Sequence, residues 1–422
     1  MSNHEIADVV EPVKIADDII VPDTGKKVVC YFTNWALYRQ GPGKFLPDDI
    51  DYTLCTHINY GFAVLDPDSL LMIPHDEYAD IQKNFYKDIV SLKEKGVKVL
   101  IALGGWNDSE GDKYSRMVNR KESRDKFVME AVKFIEEWGF DGLDLDWEYP
   151  KCWQVDCSLG PEEDKEGFSS LVKELSDVMK PKGLILSAAV SPSKSVIDVA
   201  YDVPVLNTYL DFINVMTYDF HGYWDRRTGH VSPLFNTDGN DQFTTNFSMN
   251  YWALLGAEKQ KLVMGLPMYG QAFSLANPGE NGLNSAVIGR GEPGEFTRAG
   301  GFLAYYEICR KIQTEGWNVV KDPRGNTGPY VFKDDQWASY DDVDMVRKKS
   351  KYINQNDFGG AMIWALDLDD YSKMCECEHY PLLKTINRVL RQYPVPEPDC
   401  VTNNDDDDSL ARLSISVPDI DI

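Results

Sequence analysis

The chain has 422 residues, 43 % of them hydrophobic, and a formal net charge of −25, enough apolar material for a large core and too much for a wholly disordered chain. A surface this acidic repels nucleic acid and anionic lipid, whereas a neutral polymer meets no such penalty. No apolar run approaches the roughly 18 residues that a spanning helix needs, so neither nucleic acid nor membrane contact by this segment is expected.

Residues 1–25 are acidic with scattered apolar positions and read as a linker. The start, Met1-Ser-Asn-His-Glu-Ile6, has no basic region and no apolar core, so it is not a secretory signal peptide. Eight short apolar runs follow: Lys27–Thr33, Thr56–Ala63, Val97–Gly104, 140–147, Leu184–Val190, Phe212–Tyr218, Leu262–Met268 and Gly360–Leu366. Each reads as a buried strand. Helical patterns lie between them, near 78–95, 123–138, 165–180, 243–258, 341–354 and 381–392. In 123–138, Phe127, Ala131, Phe134, Ile135 and Trp138 share a face, Ser123 is the expected cap and Gly139 follows the end.

Alternating strands and helices predict the α/β class and a parallel (β/α)8 TIM barrel. The stretch between the seventh and eighth strands is too long for one loop and one helix. Residues 271–340, with a helix around Phe302–Gln313, are expected to form a small α+β insertion domain within a barrel spanning 26–393. After Tyr393 the chain turns to Pro-Val-Pro-Glu-Pro and then Asn-Asn-Asp-Asp-Asp-Asp-Ser, so 394–422 reads as linker and acidic disordered tail. No internal repeat is visible.

The chemistry concentrates in Phe140–Pro150, Phe-Asp-Gly-Leu-Asp-Leu-Asp-Trp-Glu-Tyr-Pro. Successive side chains of a strand alternate between faces. Asp144, Asp146 and Glu148 therefore line one face, and Leu143, Leu145 and Trp147 the other. Asp141 has the wrong parity and is expected to precede the regular strand, at an irregularity that Gly142 permits. Buried neighbouring carboxylates hold on to a proton, which keeps an acid protonated near neutral pH. Glu148, at the strand end where such barrels carry their active sites, is the candidate proton donor. Asp146 is its nearest anion, and Asp144, one step deeper, can share a proton with Asp146.

The pattern D-x-x-D-x-D-x-E, with Gly142 and Trp147 between the acids, resembles the active-site strand of glycoside hydrolase family 18, the chitinase family. The resemblance covers about Lys26 to Tyr393 and is closest in detail to the chitinases of arthropods and vertebrates, many of which carry an insertion beside the groove. It implies cleavage of β-1,4 bonds between N-acetylglucosamine units of chitin or chitooligosaccharides. No enzyme carboxylate attacks in that family; the substrate's own N-acetyl oxygen closes on the anomeric carbon. Asp146 would orient the acetamido group, Glu148 would protonate the leaving oxygen and later activate water, and configuration would be retained.

The resemblance also implies the rest of the site. In Met216-Thr-Tyr-Asp-Phe-His-Gly222, Met216 and Tyr218 share an inward parity, and Tyr218 and Asp219 match residues that hold the N-acetyl group and sugar. Trp364 matches the residue that floors the cleavage subsite. Trp106, after Gly104-Gly105 and before Asn107, matches a groove wall. Tyr31, Phe62 and Tyr269 match inward substrate contacts, and Trp35 and Trp224 lie in loops on the same rim. Gln271 stands where the family often has arginine, which removes a charge and should weaken one polar contact. His221 has no partner histidine at ligand spacing and reads as structural. No metal or cofactor is expected, and activity should survive chelators.

The eight cysteines suit disulfides by their even number. Cys152 and Cys157 read as a local loop pair. By the resemblance, Cys30 pairs with Cys55, and Cys309 with either Cys375 or Cys377. Cysteine content without a signal peptide implies a piece of a longer secreted or surface-tethered protein, extracellular and monomeric. Glycosylation sequons occur at Asn107-Asp-Ser and Asn246-Phe-Ser; Asn107 borders the groove, which makes Asn246 the expected acceptor. Two other functions are consistent with the same barrel. One is a lectin of the chitinase-like type, which usually lacks an acid at the position of Glu148. The other is an endoglycosidase of N-glycans, which usually lacks the insertion.

Overall fold

The computed structural model describes residues 21–236, 242–375 and 377–398. The first twenty positions of the expected linker and nearly all of the expected acidic tail lie outside them. Eight parallel strands close on themselves. They are β1 (Lys27–Thr33), β2 (His57–Leu65), β3 (Lys98–Gly104), β4 (Gly142–Asp146), β5 (Ile185–Val190), β6 (Phe212–Val215), β7 (Leu262–Pro267) and β8 (Gly360–Trp364). Closure is made by β1, which pairs with β2 from Val29↔His57 and with β8 from Lys27↔Gly360. The strands are almost wholly buried, as expected where helices cover the outside and side chains fill the inside.

Several expected strands end earlier than their apolar runs. β6 stops at Val215, β4 at Asp146 and β8 at Trp364. The apolar residues beyond, such as Met216, Trp147 and Leu366, are buried as barrel-mouth loops, and hydrophobicity alone does not separate the two. A short strand, Met72–Pro74, pairs antiparallel with the end of β2 and was not legible in the sequence.

The helix expected over 123–138 spans Lys121–Trp138 and ends on Gly139 at φ 81°. Ser123 does not cap it. The extended residue at the entry is Arg120, at φ −125° and ψ 128°, and Ser123 already lies in the helix; a cap must itself be non-helical. The pattern at 78–95 breaks into three pieces, Tyr78–Gln82, Phe85–Ser91 and Leu92–Lys95. Asn84, at φ 61°, interrupts it.

Between β7 and β8 a six-stranded antiparallel sheet forms the insertion. Its first strand, Tyr269–Leu275, is separated from β7 by Met268 alone and pairs with Val287–Arg290, Phe302–Ala304 and Gln336–Ser339. The insertion helix is Tyr305–Glu315, displaced from Phe302–Gln313 because Phe302–Ala304 is taken up as a strand. Glu307 fixes its start by accepting N–H groups from Phe296, Thr297 and Ala304. The disulfide Cys309–Cys375 ties this helix to the loop after β8 and resolves the choice left open by the sequence. Cys30–Cys55 and Cys152–Cys157 are also bonded.

Candidate active site

Asp144 sits inside the barrel with Ala102 of β3 and Ser187 of β5 in register on either side. These small residues leave room for a carboxylate. Its oxygens accept the Tyr31 hydroxyl at 2.5 Å, the Ser187 hydroxyl at 2.5 Å and Asn214 Nδ2 at 3.2 Å. Burial raises its pKa, and the three donors work against that rise. Asp146, one pleat nearer the mouth, has no such support: among the described residues its Oδ1 has no hydrogen-bond partner. Burial first, then the charges of Glu148 and Asp144, push its pKa well above the ordinary carboxylate range. Glu148 lies just past the strand end and is half-buried. Burial and the charge of Asp219 push it up to about 8. Burial thus favours the protonated form in all three acids. Asp141 is elsewhere: it precedes β4, binds the backbone of Val99 and pairs with Lys93 at 3.3 Å.

Asp146 and Glu148 open into a cleft of about 740 Å3, lined also by Phe62, Gly105, Trp106, Asn107, Met216, Tyr218, Asp219, Tyr269 and Trp364. A second segment of about 720 Å3 shares Trp35, Trp106, Asn107 and Trp364 with it and runs on to Phe296–Phe302 of the insertion. The groove thus continues across Trp364 with one side built by the inserted domain. Phe62 stacks on Trp364 at 5.8 Å and on Trp35 at 6.0 Å between ring centroids. Apolar ring faces in a polar cleft bind the C–H faces of sugars by burying area without charge.

Tyr31 departs from expectation. It is 1 % exposed, its ring packs against Trp364 at 5.2 Å, and its hydroxyl belongs to Asp144. It lies beneath the floor and does not line the cleft. Trp224 is also outside the cleft and half exposed, beside Tyr223 at 5.5 Å. Tyr218 sits over Met362, with its hydroxyl 3.7 Å from the sulfur. Asp219, at φ 55°, accepts Gln271 Nε2 at 2.7 Å. Gln271 therefore keeps a direct polar contact at the position where a charge was expected to be missed. His221 bonds Asp225 at 2.9 Å, as a structural residue would.

Three supports carry no signal in the sequence. Asp164, fully buried, accepts from Ser115 Oγ, Asn119 Nδ2, Trp153 Nε1 and the Lys151 N–H. It anchors the loop that follows Glu148. Arg39 and Asp367 form a buried ion pair at 2.5 Å beside Trp364, and Thr33 donates to the same carboxylate at 2.9 Å. Ser109 reaches the backbone of Glu148. All three are long-range pairings between residues with no shared periodicity. Among the described residues one group could be read as a metal site, Cys309, Asp370 and Cys375. Its two sulfurs are bonded to each other, which removes the thiolates a metal would need.

Comparison with known proteins bears on this arrangement. A family model described as glycosyl hydrolases family 18 matches residues 27–369. The probable chitinase 10 of Drosophila melanogaster is 59 % identical over 379 residues, covering 90 % of this chain and 17 % of that protein. The chain thus spans about a sixth of the length of that relative. The crystal structure of catalytic domain 2 of the group II chitinase of Ostrinia furnacalis superposes with a TM-score of 0.88 at 53 % identity, covering 89 % of this chain and 98 % of that one. A mutant of that domain has been solved in complex with (NAG)5. Human YKL-39, described as a pseudo-chitinase with retained chitooligosaccharide binding, superposes with a TM-score of 0.78 at 35 % identity, over 86 % of this chain and 99 % of that one.

Proposed function

The chain belongs to glycosyl hydrolase family 18, and from that premise we propose that it hydrolyses β-1,4 bonds between N-acetylglucosamine units of chitin, with Glu148 as general acid and then general base. The observation that carries this reading is the carboxylate row itself. A half-buried acid whose pKa is pushed up to about 8 stands at the mouth of a tryptophan-floored cleft, beside a second carboxyl with an unpartnered oxygen. An acid of that pKa is protonated at neutral pH and able to donate to a leaving oxygen.

The steps follow from the residues. A sugar resting on Trp364 brings its glycosidic oxygen to Glu148 and its acetamido group over Asp146. Glu148 gives its proton to the leaving oxygen as the C–O bond breaks. The substrate's acetamido oxygen closes on the anomeric carbon, as this family does in place of an enzyme nucleophile. The free Asp146 oxygen accepts the acetamido N–H, which holds that group in line and stabilises the positive charge that develops on it. Tyr218 and Asp219 border the same space and would hold the acetamido group and sugar. Glu148, now a carboxylate, takes a proton from water as it opens the ring. Two displacements at one carbon retain configuration. The site needs no metal or cofactor for these steps.

YKL-39, a pseudo-chitinase with retained chitooligosaccharide binding, is the second reading that this fold admits. Glu148 in the cleft favours the enzyme reading here. Proton NMR of the first products of chitohexaose distinguishes them: fresh β-anomer at the new reducing end is the expected result. Fresh α-anomer would contradict the retaining mechanism, and intact hexamer would favour the lectin. The three disulfides support an extracellular location.

A further inference from the structure

We propose that Ser109 is a positioning residue for Glu148, its hydroxyl fixing the catalytic acid to the turn that carries the groove wall. The proposal rests on the reading of Glu148 as proton donor.

β4 ends at Asp146, so the last rung between β3 and β4 is the Gly105 N–H donating to the Asp146 carbonyl at 2.8 Å. Glu148 lies beyond the ladder, and its N–H has no strand to pair with. Ser109 takes that place. Its side chain is fully buried. Its Oγ accepts the Glu148 N–H at 2.8 Å and donates to the Gly105 carbonyl at 2.8 Å. The direction of both bonds is forced, because an N–H only donates and a carbonyl only accepts. The hydroxyl thus commits its only proton in a single orientation and extends the register of β3 and β4 by side chain.

A second tie runs from the other side of the same residue. The Glu148 carbonyl accepts the Gln154 N–H at 2.9 Å, and Gln154 Nε2 donates to the Trp106 carbonyl at 3.1 Å. Both backbone groups of the acid are therefore bonded to the structure that holds Trp106. Acid and wall move as one body, so the carboxyl keeps its place relative to a sugar lying against Trp106. Ser109 is also the third residue of the sequon Asn107-Asp108-Ser109. In the folded chain that hydroxyl bonds the backbone of Glu148, which gives the serine of the motif a positioning role.

The test compares Ser109→Ala with Ser109→Thr, which keeps the hydroxyl, in steady-state turnover of chitohexaose across pH, with Tm measured for each. The alanine variant is expected to lose about tenfold or more in kcat, with KM within about threefold of the parent, because misplacing a reacting group costs rate more than binding. The alkaline limb of its kcat/KM profile should shift, and the threonine variant should recover both readouts. Ser109→Cys, with weaker bonds in nearly the same volume, should fall between them and serves if the alanine chain does not fold. A lower Tm with unchanged kcat and unchanged pH limb, in whichever of the two variants folds, would overturn the proposal. A parent chain that binds but never cleaves the hexamer would instead overturn the reading of Glu148 and this proposal with it.

Discussion

Asp144 and Asp146 stand two residues apart on one strand and meet opposite surroundings. Three donors converge on Asp144, whereas one oxygen of Asp146 has none among the described residues. The donors offset part of the rise that burial causes at Asp144, an offset that Asp146 lacks. Asp146→Asn should keep the shape and lose the charge that stabilises the developing cation; kcat on chitohexaose is expected to fall by about 10²-fold or more, with the fold unchanged by circular dichroism. With Glu148 pushed up to about 8, its acid form disappears above that pH. The kcat/KM profile of the free enzyme should therefore fall on an alkaline limb near pH 8, and a profile flat to pH 9 would contradict the assignment. The alternation of acids and apolar residues made this row legible in the sequence, because strand parity is a strict period of two. The burial of Tyr31 was not legible: parity shows that a side chain points inward, and its depth below Trp364 depends on how eight strands stagger.

The elements around the acid show where that kind of reading stops. Strands and long helices were recoverable to within a few residues because apolar periodicity marks them. The loop after Glu148 carries no period, and its order comes from Asp164, which joins it to the helix Lys113–Val118 through Ser115 and Asn119. Asp164→Ala should leave several donors without an acceptor, at a cost on the order of 3 kcal/mol, read as a lower denaturation midpoint together with reduced kcat. Gly104 was read only as part of a strand end. At φ 120° a Cβ there would meet the Asp146 carbonyl oxygen at 2.2 Å, so the close approach of β3 to the acid strand requires glycine. Gly104→Ala is expected to push β4 outward and lose activity; near-normal turnover would show that the approach is not needed.

Over the whole molecule, eight apolar runs separated by helical patterns identified the barrel, and one overlong gap identified the insertion. What the gap could not reveal is that the inserted sheet grows directly from β7 and walls the second segment of the groove. Charge also acts at this scale. Burial pushes Glu148 up to about 8 and Asp369 up to about 7, so the folded chain holds protons that the unfolded chain releases above about pH 4. Stability from these groups is present at low pH and is lost as pH rises through their folded values. His57 and His230 are held down to about 3 by burial first, so their stabilisation is complete above about 6.5 and is lost on acidification. Between pH 6.5 and 8 only the acids of this set still change. Urea unfolding across that window should show Glu148→Gln flattening the decline by up to about 1.4 kcal/mol per pH unit relative to the parent. Parallel lines for the two chains would mean that Glu148 carries no extra proton.

In the proposed reaction one side chain at the barrel mouth, Glu148, donates the proton that breaks the bond, in a groove that binds sugar independently of it. Titrating chitohexaose into parent and Glu148→Gln, with binding measured by calorimetry and products by chromatography, tests both halves at once. Hexamer binding is expected in both chains within about tenfold, with cleavage products from the parent alone. Shorter oligomers released by the glutamine variant at the parent's rate would contradict it.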